Sequence, residues 1–163
     1  MVDICKVKVA LGADHKGYEL KNIAKSYFQK RGAMAIDFGA FSEDSVDYSD
    51  YALQVADEVS SGRADFGVLV CWTGIGMAIA ANKVKGIRAG LVLNPEMAQL
   101  TRSHNNANIL VLSGKYTDKG EVEEILSNFV NTKFEGGRHI RRLDKIKQYE
   151  DENNVRGTEK KRS

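Results

Sequence analysis

Five short β-type runs, each followed by a segment with helical spacing, constrain this chain more than any other feature. They are "KVKVALGA" (6–13), "AMAIDFGA" (33–40), "DFGVLVCW" (65–72), "GIRAGLVLN" (86–94) and "NILVLSG" (108–114). Such alternation predicts βαβ units. Runs such as "GVLVC" are apolar at both alternating positions, as expected where helices cover both sides of a parallel sheet. The expected fold is therefore doubly wound α/β: a Rossmann-like three-layer sandwich with a five-stranded parallel sheet and a C-terminal helix. Sites in such sheets lie at the carboxyl ends of the strands.

The intervening segments support this reading. Leu20, Ile23, Ala24, Tyr27 and Phe28 fall three and four apart, and "KRG" supplies a basic, glycine-ended stop. Tyr51, Val55 and Val59 mark a second helix, "GIGMAIAANKV" a third, "PEMAQLTRSHN" a fourth with Pro95 in its first turn, and "KGEVEEILSNFVN" a fifth. Ile140, Leu143 and Ile146 mark a sixth. Residues 1–150 read as one domain, and the charged stretch 151–163, which loses periodicity, reads as a disordered tail.

A chain of 163 residues, 42% apolar and 28% charged, has enough of both to bury one core. Two distant cysteines, Cys5 and Cys71, and no leader pattern point to a reducing cytoplasm. No apolar run approaches the roughly 20 residues of a membrane span. A net charge of +2 is too small to imply a polyanionic partner, so neither nucleic acid nor membrane is expected.

Four constellations could carry chemistry. In "GADHKG", Asp14 and His15 sit on the loop at the carboxyl end of the first strand, where Asp14 is either a ligand or a helix cap. In "CWTGIGMAIAANK", Cys71 ends an apolar strand, and Thr73, Gly74 and Gly76 form an anion cradle at a helix start. The stretch is neither a phosphate loop with its lysine nor a dinucleotide fingerprint. Cys71 itself is either a small buried hydrophobe or a thiolate favoured by the helix N-terminus. "RSHNNANILVLSGK" sets His104, Asn105 and Asn108 before the fifth strand, as sugar-hydroxyl partners or as a helix end with its turn. Arg138 and Arg142, four apart after two glycines, can grip a dianionic phosphate or simply form a solvated face. No zinc-ligand spacing is present.

Taken in order, "GADHKGYELK", "SEDSVDYSDYA", "CWTGIGMAIAANKVKGIRAGL", "HNNANILVLSG" and "FEGGRHIRRLDKI" resemble the successive blocks of the ribose-5-phosphate isomerase B and galactose-6-phosphate isomerase family, over roughly residues 6–147. The resemblance implies an α/β sandwich that forms a homodimer with active sites shared across the interface, with pairing into tetramers left open. It implies aldose–ketose isomerisation of a sugar phosphate without metal or cofactor, ribose 5-phosphate to ribulose 5-phosphate first. A six-carbon substrate (galactose or allose 6-phosphate) and a non-catalytic sugar-phosphate binder are the alternatives. Carried over by position, it makes Cys71 the base that moves a proton between C1 and C2. Thr73 and the amides of Gly74, Ile75 and Gly76 would stabilise the enediolate. His104 would assist ring opening, Asp14, Tyr48 and Asn105 would contact the sugar, and His15, Arg138 and Arg142 would bind the phosphate.

Two positions depart from the family. Trp72 stands where glycine is usual, and Lys115 where arginine is common. The indole is expected either to reach the pocket and narrow it or to pack outward against a helix or a second copy.

Overall fold

The structure, a computed structural model, describes residues 1–160, with side chains described through Asn153. Its strands are β1 (Lys8–Ala13), β2 (Met34–Asp37), β3 (Phe66–Cys71), β4 (Ala89–Leu91) and β5 (Ile109–Ser113). Its helices are α1 (Tyr18–Lys30), α2 (Tyr48–Ser60), α3 (Ile75–Ala81), α4 (Pro95–Asn105), α5 (Val122–Asn131) and α6 (Arg138–Lys160). The strands form one parallel sheet in the order β2-β1-β3-β5-β4.

The pleat divides the core into two. Val9, Leu11 and Ala13 of β1, Val68 and Val70 of β3, and Leu110 and Leu112 of β5 point to one face and pack with α1, α4 and α5. Ala10, Leu69, Cys71, Ile109 and Val111 point to the other and pack with α2 and α3. The central strands are buried on both faces, as their uninterrupted apolar character requires. The edge strands β2 and β4 are shorter than the runs 33–40 and 86–94 that announce them, because an edge strand has a partner on one side only.

Helix α6 leaves the sandwich and touches mainly α4. It continues through Lys160, well past the end of the apolar spacing, so the stretch expected to lose order from residue 151 is helical up to that point. Residues 161–163 lie outside the described residues. No helix among the described residues is long and apolar enough to cross a membrane.

Candidate active site

From β1 the chain steps outward to β2, then crosses back to β3 on the other side of β1, so the direction of winding reverses between β1 and β3. At such a switch point the two neighbouring loops part, and a crevice opens at the carboxyl ends. The register sets Ala13 opposite Val70, which brings Asp14 beside Cys71.

Cys71 is only 5% exposed and packs with Leu69, Met77 and Val111. Its sulfur accepts the Gly74 N–H at 3.2 Å. That turn needs glycine, since Gly74 has φ +81° and a Cβ there would collide with Leu91 Cδ1. The residue is packed like a small hydrophobe, and a backbone donor points at its sulfur. The Ile75 N–H donates to Thr73 Oγ1 at 3.3 Å. The Gly76 amide has no acceptor among the described residues, and a Cβ at Gly76 would come within 2.7 Å of the Tyr48 ring, so the phenol lies across the first turn of α3. Beyond Cys71 the chain is pinned at the Trp72 carbonyl, which accepts from Ser113 Oγ (2.8 Å) and the Lys115 N–H (3.0 Å).

Asp14 is buried, and its Oδ1 accepts the N–H groups of Lys16 and Gly17, both at 2.9 Å. These bonds fix the turn that leads into α1, whose N-cap is Gly17 without a side-chain cap bond, so Asp14 is a turn residue and not the helix cap, and one carboxylate oxygen is occupied. His15 Nδ1 accepts the Val46 N–H at 3.3 Å, which leaves the ring proton on Nε2 as a donor for an anion. Val46 belongs to the β2–α2 loop, which a buried ion pair holds in place. Lys21 Nζ, with a wholly buried side chain, donates to Asp37 Oδ1 (2.7 Å) and the Ala40 carbonyl (2.6 Å). Lys25 adds a second contact to Asp37 at 2.9 Å. Burial pushes the Asp37 carboxyl up, but hydrogen bonds from Lys21, Lys25 and the Gly39 N–H outweigh it and hold the group below its usual range.

The Trp72 indole is 48% exposed and lies between the loops that follow β1 and β5, with Lys16 Nζ 5.9 Å and Lys115 Nζ 5.8 Å from the ring centre. Within the single chain it is not buried against a helix, and packing on a second copy stays open to it.

The other expected residues lie elsewhere. His104 and Asn105 end α4 and Arg138 and Arg142 begin α6, at the amino edge of the sheet, just before β5 starts at Ile109. Cys71 pairs with Ser113 at the far end of that strand. At about 3.3 Å per residue the two groups stand roughly 13 Å or more apart along the strands. One chain assembles Asp14, His15, Tyr48 and Cys71–Gly76 at one edge, and His104, Asn105, Arg138 and Arg142 at the other.

At the amino edge the rings of His104 and His139 stack, 4.4 Å apart and 11° from parallel. Glu135 Oε2 lies 3.9 Å from His104 Nε2 and 3.8 Å from His139 Nε2. Burial, with His104, Arg138 and Arg142 adding to it against Glu135, holds His139 below the usual imidazole range. Donor atoms of His104, Glu135 and His139 all fall within 4.8 Å of one another. The set is nonetheless a poor cation site: parallel stacked rings cannot direct two in-plane lone pairs at one ion, and two arginines flank it.

The sequence pattern of the Ribose/Galactose Isomerase family matches residues 9–146. The chain belongs to this family. It is 40% identical over 147 residues to ribose-5-phosphate isomerase B of Escherichia coli, covering 90% of this chain and 99% of that protein. A crystal structure of ribose 5-phosphate isomerase from Thermotoga maritima superposes with a TM-score of 0.85 at 51% identity, covering 87% of this chain and 98% of that one. A Mycoplasma genitalium ribose-5-phosphate isomerase B solved with bound ribulose 5-phosphate gives 0.85 at 41% identity, covering 89% and 97%. Membership makes this protein an aldose–ketose isomerase on the five-stranded α/β fold described above.

Three residues of this family member escaped the sequence reading, two of them with a signal in their spacing. Lys21 is three before Ala24 and seven before Phe28, on the buried stripe of α1. His139 is four before Leu143 and seven before Ile146, on the apolar stripe of α6. Glu135 has no such spacing, and its N–H donates to the Ser103 carbonyl at 3.0 Å, a contact between segments distant in sequence.

Proposed function

We propose that the protein interconverts ribose 5-phosphate and ribulose 5-phosphate, with Cys71 as the base, at a site built from two copies of the chain. The observation that carries the chemistry is the Gly74 N–H on Cys71 Sγ at the switch-point crevice. A thiolate there removes the proton from C2 of the open-chain aldose and returns it to C1, the electron pair passing through an enediolate. Thr73 Oγ1 and the free Gly76 amide are the donors for its oxygens, since the Gly74 and Ile75 amides already serve the sulfur and Thr73. Asp14 and Tyr48 face the sugar hydroxyls, and His15 Nε2–H faces the phosphate.

The remaining roles need a second chain. A sugar phosphate is too short to reach from Cys71 to Arg138 and Arg142 of the same chain. Residues at the amino edge of one copy therefore serve the carboxyl edge of the other, His104 for ring opening, Asn105 for a hydroxyl, the arginines for the phosphate. Exposed apolar residues at both places fit this, Ile75 (53%) and Ile79 (58%) on α3, Ile140 (48%) and Ile146 (51%) on α6. The two cysteines are free, and a reducing cytoplasm keeps Cys71 available.

The test mixes two defective variants. Cys71→Ser loses the base, His104→Asn the ring-opening group, and each alone is expected to form little ketose from ribose 5-phosphate. Unfolded together and refolded, hybrid pairs regain one intact site each, about a quarter of the wild-type activity by random pairing. Wild-type turnover by Cys71→Ser overturns the thiolate base; no recovery on mixing overturns the shared site. Galactose and allose 6-phosphates, assayed alongside, decide sugar length.

A further inference from the structure

His139 sits beneath the proposed ring-opening residue with unused hydrogen-bonding capacity. It is 5% exposed, and its Nε2 is buried with no hydrogen-bond partner. Its Nδ1 faces Arg142 Nη1 at 3.4 Å. An arginine only donates, so Nδ1 is the acceptor and the ring proton is on Nε2, directed toward Glu135. The face of the ring carries His104, nearly parallel at 4.4 Å. Glu135, spaced about equally from both imidazoles, is itself anchored to the end of α4 through the Ser103 carbonyl. His104 is a third exposed and ends a helix, where a side chain has few neighbours to fix its rotamer.

We propose that His139 is a positioning residue for ring opening: its neutral imidazole is the plane on which His104 is held at a fixed tilt, and it ties that tilt to the phosphate-gripping Arg142. This rests on the function proposed above. In ring opening the C1–O4 bond breaks and its electron pair goes to O4, which takes a proton from His104. The O1–H pair becomes the C1=O bond, that proton leaves to solvent, and His104 takes one proton back from solvent. Such a transfer depends steeply on the angle between donor and oxygen. A stacked wall supplies the angle without touching substrate. The wall must also be uncharged, since a cation face to face with His104 would oppose the proton it has to carry. Arg142 Nη1 at Nδ1 leaves that nitrogen without a proton, and burial, with His104, Arg138 and Arg142 acting the same way, lowers the His139 pKa.

Ribulose 5-phosphate separates this role from a structural one. Its 5-hydroxyl is esterified, so it cannot close a furanose ring, and exchange of its C1 proton with deuterated solvent needs the Cys71 chemistry but no ring opening. For His139→Ala the expected result is a fall of about ten- to hundredfold in kcat for ribose 5-phosphate, with C1 exchange in ribulose 5-phosphate within about threefold of wild type. His139→Phe, which keeps a flat stacking partner and guards against a variant that does not fold, is expected to restore most of the forward rate. Equal loss of both rates in both variants, or an unchanged forward kcat in His139→Ala, overturns the proposal. If the wild-type protein neither exchanges the C1 proton nor forms ketose, the function proposed above fails instead.

Discussion

Lys21 and Asp37 form a buried pair whose two halves are unequally replaceable, and this asymmetry gives a sharp prediction. In Asp37→Ala, Lys21 Nζ stays in a wholly buried position with the Ala40 carbonyl as its remaining oxygen partner and the Phe41 and Tyr18 rings 5.1 and 5.6 Å away. An uncompensated buried charge costs about 3–5 kcal/mol. In Lys21→Met, Asp37 keeps Lys25 at 2.9 Å and the Gly39 N–H at 2.9 Å, so no charge is stranded. The loss reduces to the Ala40 carbonyl's partner, offset by an apolar chain against two rings, about 1–2 kcal/mol. Urea unfolding at pH 7 with equal slopes measures both, and the expected gap is about 2 kcal/mol in favour of Lys21→Met. A Lys21→Met variant as unstable as Asp37→Ala would refute the reasoning, because the stability would then reside in the lysine's own contacts and not in charge compensation. The same carboxyl sets an acid limit. Its folded pKa is depressed, so its contribution is complete above the unfolded value of 3.8 and is lost as pH falls through the lower folded value. That part of the acid slope is absent from Asp37→Ala.

Gly76→Ala drives a methyl into the Tyr48 ring, which is 43% exposed and free to swing aside. Stability is expected to change by less than about 1 kcal/mol while kcat/KM for ribose 5-phosphate falls more than tenfold; a large drop in melting temperature with unchanged kinetics contradicts this. Trp72→Gly removes a ring that is already half in water, so it costs about 2 kcal/mol and not the 3–5 of a buried tryptophan, as thermal melts will read. His139, buried with its pKa lowered below 6.5, binds its proton more readily unfolded, so stability falls as pH drops through and below 6.5. In His139→Phe that part of the slope disappears, which urea titrations at pH 7 and 5 detect.

The layers of the fold were legible because "GVLVC" and its counterparts state burial on both faces directly. Strand order was not. Periodicity records which residues are buried and says nothing of which strand lies beside which, so the placement of β5 between β3 and β4 had to come from the structure. The site was legible in its parts and not in their arrangement. Cys71 ends a strand and Asp14 follows one, and position alone places them at the carboxyl edge. His104 precedes a strand, and in a parallel sheet that places it at the opposite edge, a deduction the motif "RSHNNANILVLSGK" permits once the strand is assigned. Lys21 was hidden because a lysine within an apolar stripe reads as a solvated residue until its partner, sixteen positions on, is known.

The edge strands have a bearing on self-association. β2 spans Met34–Asp37 and β4 spans Ala89–Leu91. A neighbouring chain that tried to extend the sheet at either margin would find four or three residues of ladder, too few to hold register or to seed fibrils. Several bulky exposed apolar side chains, Ile75 and Ile79 on α3 and Ile140 and Ile146 on α6, project from helices instead. Docking through one self-matching patch on each copy stops at the pair, where growth by strand addition would leave a fresh margin each time. Brevity at the two margins thus favours a small, countable assembly over an open-ended one.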